Sequence, residues 1–166
     1  TTMRLNEAIA DGDYAESVGY FYEATGLARY GDVVIEDVSD LAHGRPAGSG
    51  TWTTPEQLLS FAHFLLEGDN TILDDDLQAL LTTPQVPLGY GFDDSHYGYG
   101  VFVQPGYFIN ETDYIEVPVW GHNGLTNSYT ADMVILPEQK FAYTILTSGY
   151  GTDFSTAAVE ALALAK

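Results

Sequence analysis

Two strongly apolar segments near the C-terminus, 127–136 and 141–148, are separated by only the four residues from Pro137 to Lys140. A link this short joins neighbouring antiparallel strands, so the two segments predict a β-hairpin. A segment rich in Ala and Leu, 154–165, predicts a terminal helix that packs through Ala157, Val159, Ala161 and Leu162. Further strand-like segments lie at 97–104, 107–110 and 114–120. Strands followed by a helix indicate an α+β fold with an antiparallel sheet flanked by helices.

One edge of this predicted sheet has no partner in the sequence. The terminal helix can cover one face, but the far edge strand would stay open, and long open edges are usually paired or blunted. The chain also begins with Thr1 rather than with Met. We therefore expect a processed or excised part of a longer protein.

The clearest element of the first half is a helix that starts after Thr54. Thr54 can cap this helix, Pro55 suits its first position, and Gln57 has the spacing of a capping box. Gly68 is expected to end it. Its apolar face consists of Leu58, Leu59, Phe61, Ala62, Leu65 and Leu66.

A second helix is predicted from Asp74 to Leu81. Its acidic start, 74–76, favours a helix N-terminus over a calcium site, because no Gly-centred loop with a later Glu follows. The side chains expected on its buried side are Leu77, Leu80 and Leu81. Residues 1–50 predict mainly loop, with one short strand at 33–35.

Charge and composition exclude several classes of partner. The chain has 24 acidic residues against 5 Lys and Arg, and its formal net charge is −19. Nucleic acids require a basic face, so we expect no nucleic-acid partner. No window approaches ~18 uninterrupted apolar residues, so we expect no membrane span in this chain. The chain has no Cys, and His43, His63 and His96 lack metal-ligand spacing, so we predict no metal site and no cofactor.

Three motifs follow one another along the chain. They are AGSGTWTTPEQL at 47–58, YGYGVF at 97–102, and WGHNG at 120–124 followed by a strand, Pro137-Glu138 and a second strand. In this order and spacing they resemble the serine β-lactamase-like family, which includes penicillin-binding proteins, D-alanyl-D-alanine carboxypeptidases, D-aminopeptidases and esterases. The resemblance covers roughly residues 15–150.

The resemblance implies that residues 1–166 form the C-terminal part of a single β-lactamase/transpeptidase-like domain. Helices and loops would occupy 1–83, and the sheet strands and C-terminal helix would occupy 97–166. The fold would be incomplete without an N-terminal segment, which in this family carries the Ser-x-x-Lys nucleophile motif and a Tyr-x-Asn or Tyr-x-Ser motif. Neither motif occurs in this sequence. Members of this family are commonly exported, and this chain is strongly acidic. We therefore expect a secreted, periplasmic or cell-envelope location.

The site residues follow from the third motif. His122 stands where the family usually has Lys. A histidine attracts a substrate carboxylate only when it is protonated, and when neutral it can donate or accept one hydrogen bond. The backbone N–H of Leu125 corresponds to a donor of the oxyanion hole, and Gly124 would allow close approach of the substrate. We therefore predict His122, Gly124 and Leu125 as catalytic. The residues predicted to bind substrate are Asn123, Asn127 and Ser128.

The leading functional hypothesis is one part of a serine hydrolase that forms an acyl-enzyme with a β-lactam, a D-amino-acid peptide or an ester. Its partners would be the N-terminal segment of the same protein and a small-molecule or peptide substrate. The alternative is an inactive module that binds a peptide-like or cell-wall ligand at the edge of a strand from Trp120 to Leu125. An N-terminal Thr hydrolase is disfavoured, because the residues after Thr1 lack a strand pattern.

Overall fold

A computed structural model describes residues 4–5, 20–23, 26–29, 51–110, 112–125, 129–147 and 153–165, the first three ranges and Trp52 by their backbone alone. The predicted strand at 33–35 lies outside these residues. The chain forms two units: one comprises 1–58, 123–131 and 146–152, and the other comprises 59–122, 132–145 and 153–166.

The helix predicted after Thr54 is confirmed as α1, Pro55–Glu67. Gln57 N–H donates to Oγ1 of Thr54 at 3.3 Å, and Thr54 N–H donates to Oε1 of Gln57 at 3.4 Å. This reciprocal pair is the predicted capping box. Gly68 ends the helix with φ +74°, and its N–H donates to the carbonyl of Phe64 at 2.9 Å.

The second helix, α2, spans Asp75–Leu81, and the Asp74 side chain caps it by accepting from the N–H of Leu77. The prediction of its buried side was wrong, because the side chains of Leu77 and Leu80 are 48% and 44% exposed. A polar residue faces α1 instead: the Gln78 amide donates to the carbonyl of Phe64 at 2.8 Å.

The strands are β1 (Arg4–Leu5), β2 (Tyr20–Glu23), β3 (Gly26–Arg29), β4 (Thr51–Trp52), β5 (Val86–Pro87), β6 (His96–Tyr97), β7 (Phe102–Gln104), β8 (Tyr107–Phe108), β9 (Tyr114–Ile115), β10 (Val119–Leu125), β11 (Thr130–Leu136) and β12 (Phe141–Thr147). A six-stranded sheet has the order β12-β11-β10-β7-β6-β5. Three antiparallel pairs, β1-β4, β2-β3 and β8-β9, each form a separate two-stranded sheet. The predicted hairpin is confirmed: β11 and β12 are neighbours joined by the turn 137–140. The α+β class is therefore correct.

The predicted strand 97–104 is wrong, because the chain reverses within it. Strands β6 and β7 pair antiparallel, with Tyr97 opposite Phe102. The N–H of Gly98 donates to the carbonyl of Val101 at 2.8 Å, and Gly100 has φ +93°. Glycine adopts that conformation without strain, so the two glycines that interrupt the apolar pattern mark a turn. The predicted strand 114–120 is likewise split between β9 and β10.

Strand β11 lies in the core of the sheet. Its residues 132–136 are all buried, and successive side chains of a strand point to opposite faces, so both faces are covered there. One cluster of buried side chains consists of Val119, Val134, Leu136, Tyr143 and Ala158. Ala158 belongs to the terminal helix α3, Ser155–Leu162, which continues as a 3₁₀ turn, Ala163–Ala165.

Helix α3 therefore covers one face of the sheet, as predicted, but through partly different residues. Ala161 and Leu162 pack against the buried cluster, whereas Ala157 and Val159 are exposed. The terminal helix begins one residue later than its predicted start. Of the helices that the structure describes, none combines the length and hydrophobicity needed to cross a lipid bilayer.

Candidate functional site

Strand β10 carries the motif His122-Asn123-Gly124 in its interior, between β7 and β11 in the sheet. Val119, Trp120 and Gly121 pair with residues 104 to 102 of β7. The predicted edge strand from Trp120 to Leu125 is therefore wrong for its first two residues, whose β7 side is occupied by a strand. The pairing of β10 with β7 ends at Gly121, just before the motif begins.

Two aromatic residues surround the imidazole of His122. Its Nε2 lies 2.9 Å from the hydroxyl of Tyr97. The ring of Phe102 stacks on the imidazole, with centroids 4.7 Å apart and an interplanar angle of 18°. The ring of Tyr97 meets the same imidazole edge-on, at 5.7 Å and 78°. His122 is half-buried, so these contacts restrict a side chain that would otherwise select among rotamers.

The β6–β7 hairpin places these two aromatic residues side by side. Tyr97 and Phe102 are directly opposite in the register, and their rings are 5.2 Å apart. Directly opposed residues lie on the same face of an antiparallel pair, so both rings can reach one neighbour. A Cβ on Gly98 would lie 2.6 Å from the carbonyl oxygen of Leu81, so the turn requires glycine there.

Sequence reasoning missed Tyr97 and Phe102 as site residues. They belong to the YGYGVF motif, which had contributed only a strand to the family resemblance. The glycine-rich turn inside the motif could have revealed the hairpin. The hairpin alone would not have shown that its rings reach His122, because that contact depends on the register between β7 and β10.

Two glycines of β10 differ in what the fold requires of them. A Cβ on Gly121 would lie 2.1 Å from the carbonyl oxygen of Met133, a backbone atom that cannot move aside cheaply. A Cβ on Gly124 would have the Cβ of Ala131 as its nearest described neighbour, at an ordinary contact distance of 3.5 Å. The described structure thus explains the glycine at 121 but not the one at 124.

The other predicted site residues have less structural context. Asn123 is exposed, and Leu125 ends β10 with a side chain 56% exposed. The role predicted for Leu125 uses only its backbone N–H, so it does not depend on the exposure of that side chain. Asn127 and Ser128 lie outside the described residues. The roles of all six residues stay predictions.

A second polar cluster is buried beside the core. Asp132 is 5% exposed, and its Oδ2 accepts hydrogen bonds from the hydroxyls of Tyr107 at 2.7 Å and Tyr143 at 3.3 Å. Desolvation raises the pKa of Asp132, and the hydrogen bonds from the two tyrosines oppose the rise. Burial also raises the pKa of both tyrosines, to which the nearby carboxylate contributes. Neither tyrosine therefore loses its proton near neutral pH.

Among the residues with described side chains, no three His, Asp or Glu come close enough to form a metal site. The groups gathered at His122 can donate or accept hydrogen bonds and can position a substrate. Acyl transfer also needs a nucleophile with an adjacent base, and the sequence has no Ser with Lys three residues later. The described site is suited to binding and to stabilising charge.

Comparison with known proteins identifies the fold. The model of the Beta-lactamase family matches residues 6–166. The penicillin-binding protein homologue from Pyrococcus abyssi, an octamer, is similar with a TM-score of 0.71 and 22% identity, over 97% of this chain and 33% of that chain. No curated protein sequence matches the chain.

Two further solved structures are similar. The penicillin-binding protein from Bacillus halodurans has a TM-score of 0.56 and 16% identity, over 88% of this chain and 40% of its own. The D-stereospecific amidohydrolase from a Streptomyces species has a TM-score of 0.58 and 17% identity, over 87% of this chain and 38% of its own. The chain thus spans between 33% and 40% of these three proteins.

Proposed function

The chain belongs to the β-lactamase family, and on that premise we propose that it forms the C-terminal, substrate-facing part of a serine hydrolase. Members of this family are hydrolases of the serine acyl-enzyme type. The substrate would be a β-lactam, a D-amino-acid peptide or an ester. The nucleophile would lie on an N-terminal segment with a Ser-x-x-Lys motif, outside this sequence.

The observation that carries the proposal is the contrast between Gly121 and Gly124. The backbone of β11 requires glycine at 121, whereas the nearest described neighbour of Gly124 leaves room for a methyl group. A glycine that its surroundings do not require is expected where another molecule approaches the backbone closely. Gly124 lies two residues after His122, so both belong to the stretch of β10 that would receive the substrate.

His122 and the strand backbone would then have distinct roles. His122 would contact a substrate oxygen, and Asn123 would help to hold the substrate. The N–H of Leu125 would donate to the oxyanion that develops when the serine attacks the carbonyl. The serine, from the N-terminal segment, would form the acyl-enzyme and water would resolve it.

Covalent labelling tests this proposal. The complete gene product is incubated with a fluorescent penicillin and, separately, with a p-nitrophenyl ester, and its intact mass is measured. We expect a stoichiometric acyl adduct that disappears when the Ser of the upstream Ser-x-x-Lys motif is changed to Ala. His122→Gln should slow turnover, while His63→Gln, an exposed change on α1, should not.

Two outcomes separate this function from the alternative binding module. An upstream sequence without Ser-x-x-Lys, or a gene product that gives no adduct with either reagent, would overturn the hydrolase proposal. Saturable binding of a peptidoglycan fragment without turnover would then favour the module. Because β7 occupies the side of Trp120 and Gly121, such a ligand could pair only with the later residues of β10.

A further inference from the structure

Helix α2 exposes the apolar face that its sequence pattern would bury. Leu77 and Leu80 lie three residues apart, so they project from the same side of the helix, and they are 48% and 44% exposed. The side of α2 that meets α1 is polar, because Gln78 donates to the carbonyl of Phe64 there. A helix of seven residues is not stable alone in water, since most helical stability in proteins comes from packing of an apolar face. The exposed leucines therefore indicate that a further element packs on α2.

Exposed apolar side chains are concentrated in this part of the chain. Five of the thirteen large hydrophobic side chains that are exposed among the described residues lie between positions 59 and 80. They are Leu59, Phe61, Ile72, Leu77 and Leu80. Single exposed apolar residues are normal on a protein surface, whereas a concentration of them marks a surface that another element covers.

The length of the similar proteins indicates which element this is. The three solved structures resemble this chain over at least 87% of its length, but the chain spans at most 40% of any of them. Most of each of those proteins therefore lies outside the matched part. In the proposed hydrolase, the corresponding N-terminal segment belongs to the same domain, so its apolar faces need a surface to pack against.

Charge disfavours a second copy of the chain on this surface. Each copy carries a formal net charge of −19, so two copies repel each other. The acidic run 74–76 at the start of α2 adds to this repulsion wherever two α2 helices meet. An intramolecular partner is tethered to the surface and does not have to overcome the repulsion between two whole copies.

We propose that the N-terminal segment of the same protein docks on the apolar face of α2, which consists of Leu77 and Leu80. The docking rests on the proposed function, because this segment is the one that would carry the Ser-x-x-Lys motif. An apolar face of the segment packs against the two leucines and removes them from water. The polar side of α2, with Gln78, stays against α1.

Docking on α2 also supports the candidate site, because α2 is joined to the β6–β7 hairpin. The N–H of Tyr99 donates to the carbonyl of Leu81, the last residue of α2, at 3.1 Å. A Cβ on Gly98 would lie 2.6 Å from the same carbonyl oxygen, so helix and hairpin are in close contact. This hairpin holds Tyr97 beside His122. A segment that fixes α2 therefore limits the movement of the hairpin as well.

Photocrosslinking identifies what lies on α2. Leu77 of the complete gene product is replaced by the photoreactive residue p-benzoylphenylalanine, and the peptide attached on irradiation is identified by mass spectrometry. We expect attachment within one polypeptide, to a peptide upstream of Thr1. Attachment between two copies, which doubles the mass, would overturn the proposal in favour of self-association. Attachment confined to residues 1–166, or no attachment, would also overturn it.

Thiol labelling measures the coverage of the same face with a smaller change. The sequence has no Cys, and the labelled peptide is located by mass spectrometry. Leu77→Cys places a thiol on the apolar face, and Ala79→Cys places one on the exposed side away from it. In the folded gene product, the thiol of Leu77→Cys should react with a maleimide about tenfold or more slowly, and in denaturant equally fast. Equal rates in the folded protein would contradict docking.

Hydrogen exchange tests the link to the site. Leu77→Asp places a charge on the docking face, and Ala79→Asp is its control on the other side of the same helix. Exchange of the amides at 97–102 should be faster in Leu77→Asp than in Ala79→Asp, because the hairpin loses its support. Equal exchange in the two variants would contradict the support of the hairpin through α2.

None of these measurements requires acylation. A gene product that attaches α2 to an upstream peptide but forms no acyl adduct would refute the hydrolase and support the docking. A gene product that forms the adduct without this attachment would do the reverse, so the two failures are distinguishable.

Discussion

The hydroxyl of Tyr107 donates a 2.7 Å hydrogen bond to Oδ2 of Asp132, a carboxylate that is only 5% exposed. Tyr143 donates to the same oxygen at 3.3 Å. Burial of a carboxylate disfavours its charged form, and hydrogen bonds to that form compensate in part. Because burial is the larger effect, the pKa of Asp132 is raised.

The first prediction concerns the pH dependence of stability. A raised pKa means that folded Asp132 binds its proton more tightly than the unfolded chain does, so its contribution to stability is fully present below the unfolded pKa. It is lost as the pH rises through the folded pKa. The melting temperature of Asp132→Asn, measured against the unmodified protein between about pH 4 and about pH 8, should therefore rise with pH.

Asp69→Asn is the matched control for this experiment, because its shift has the opposite sign. The side chain and then the backbone N–H of Thr71 lower the pKa of exposed Asp69. Its contribution is present above the unfolded pKa and is lost as the pH falls through the folded one. Because that change lies below about pH 4, the difference in melting temperature between Asp69→Asn and the unmodified protein should stay nearly constant between about pH 4 and about pH 8. Parallel trends in the two variants would contradict the assignment.

The second prediction removes one donor from the buried carboxylate. Tyr107→Phe removes the shorter of the two tyrosine hydrogen bonds to Asp132, and loss of a hydrogen bond to a buried polar group costs about 1–3 kcal/mol. Chemical denaturation at neutral pH should show this loss in the free energy of unfolding. Tyr99→Phe, at a side chain 60% exposed, should stay within about 0.5 kcal/mol. Equal losses of unfolding free energy in the two variants would show that the hydrogen bond to Asp132 does not stabilise the protein.

The third prediction tests the helix cap. Asp74 Oδ1 accepts from the N–H of Leu77 at 2.9 Å, so Asp74→Ala should destabilise the protein by about 1 kcal/mol. Asp74→Asn retains a good capping oxygen and should be nearly neutral. Unfolding in denaturant measures both variants. If calcium raised the melting temperature and Asp74→Asn abolished that rise, the acidic run would instead be a metal site.

Local patterns predicted the helices well because their signals lie within a few residues. Thr54 and Gln57 are three residues apart, and their capping box appears in the structure as predicted. The prediction of which side of α2 is buried was wrong. The exposure of Leu77 depends on which residues pack beside it, and helical periodicity does not specify them.

At the candidate site, too, the sequence did not predict contacts between residues that lie far apart in the chain. The position of His122 in a strand followed from the motif, whereas its contact with Tyr97 joins residues 25 positions apart through the register of three strands. A one-residue change in register would turn either side chain to the other face, so the sequence alone could not specify their contact. The secreted, periplasmic or cell-envelope location and the division of the domain at residues 83 and 97 stay predictions.

The last prediction separates the two glycines of β10. Gly124→Ala places a methyl group 3.5 Å from the Cβ of Ala131, so the melting temperature should change little. If the substrate passes close to this backbone, the same methyl group should displace it from its reactive position. We then expect kcat/KM to fall by about tenfold or more while the stability of the fold is almost unchanged. Acylation kinetics of the complete gene product measure the effect.

Gly121→Ala is the control with the reverse expectation. Its methyl group would lie 2.1 Å from the carbonyl oxygen of Met133, so β10 or β11 must shift and the protein should lose several degrees in melting temperature. Any loss of activity in Gly121→Ala should follow this loss of folded protein, whereas in Gly124→Ala activity should fall without it. If Gly124→Ala keeps full activity, the close approach of a substrate to β10 is excluded, and glycine at 124 has no functional explanation.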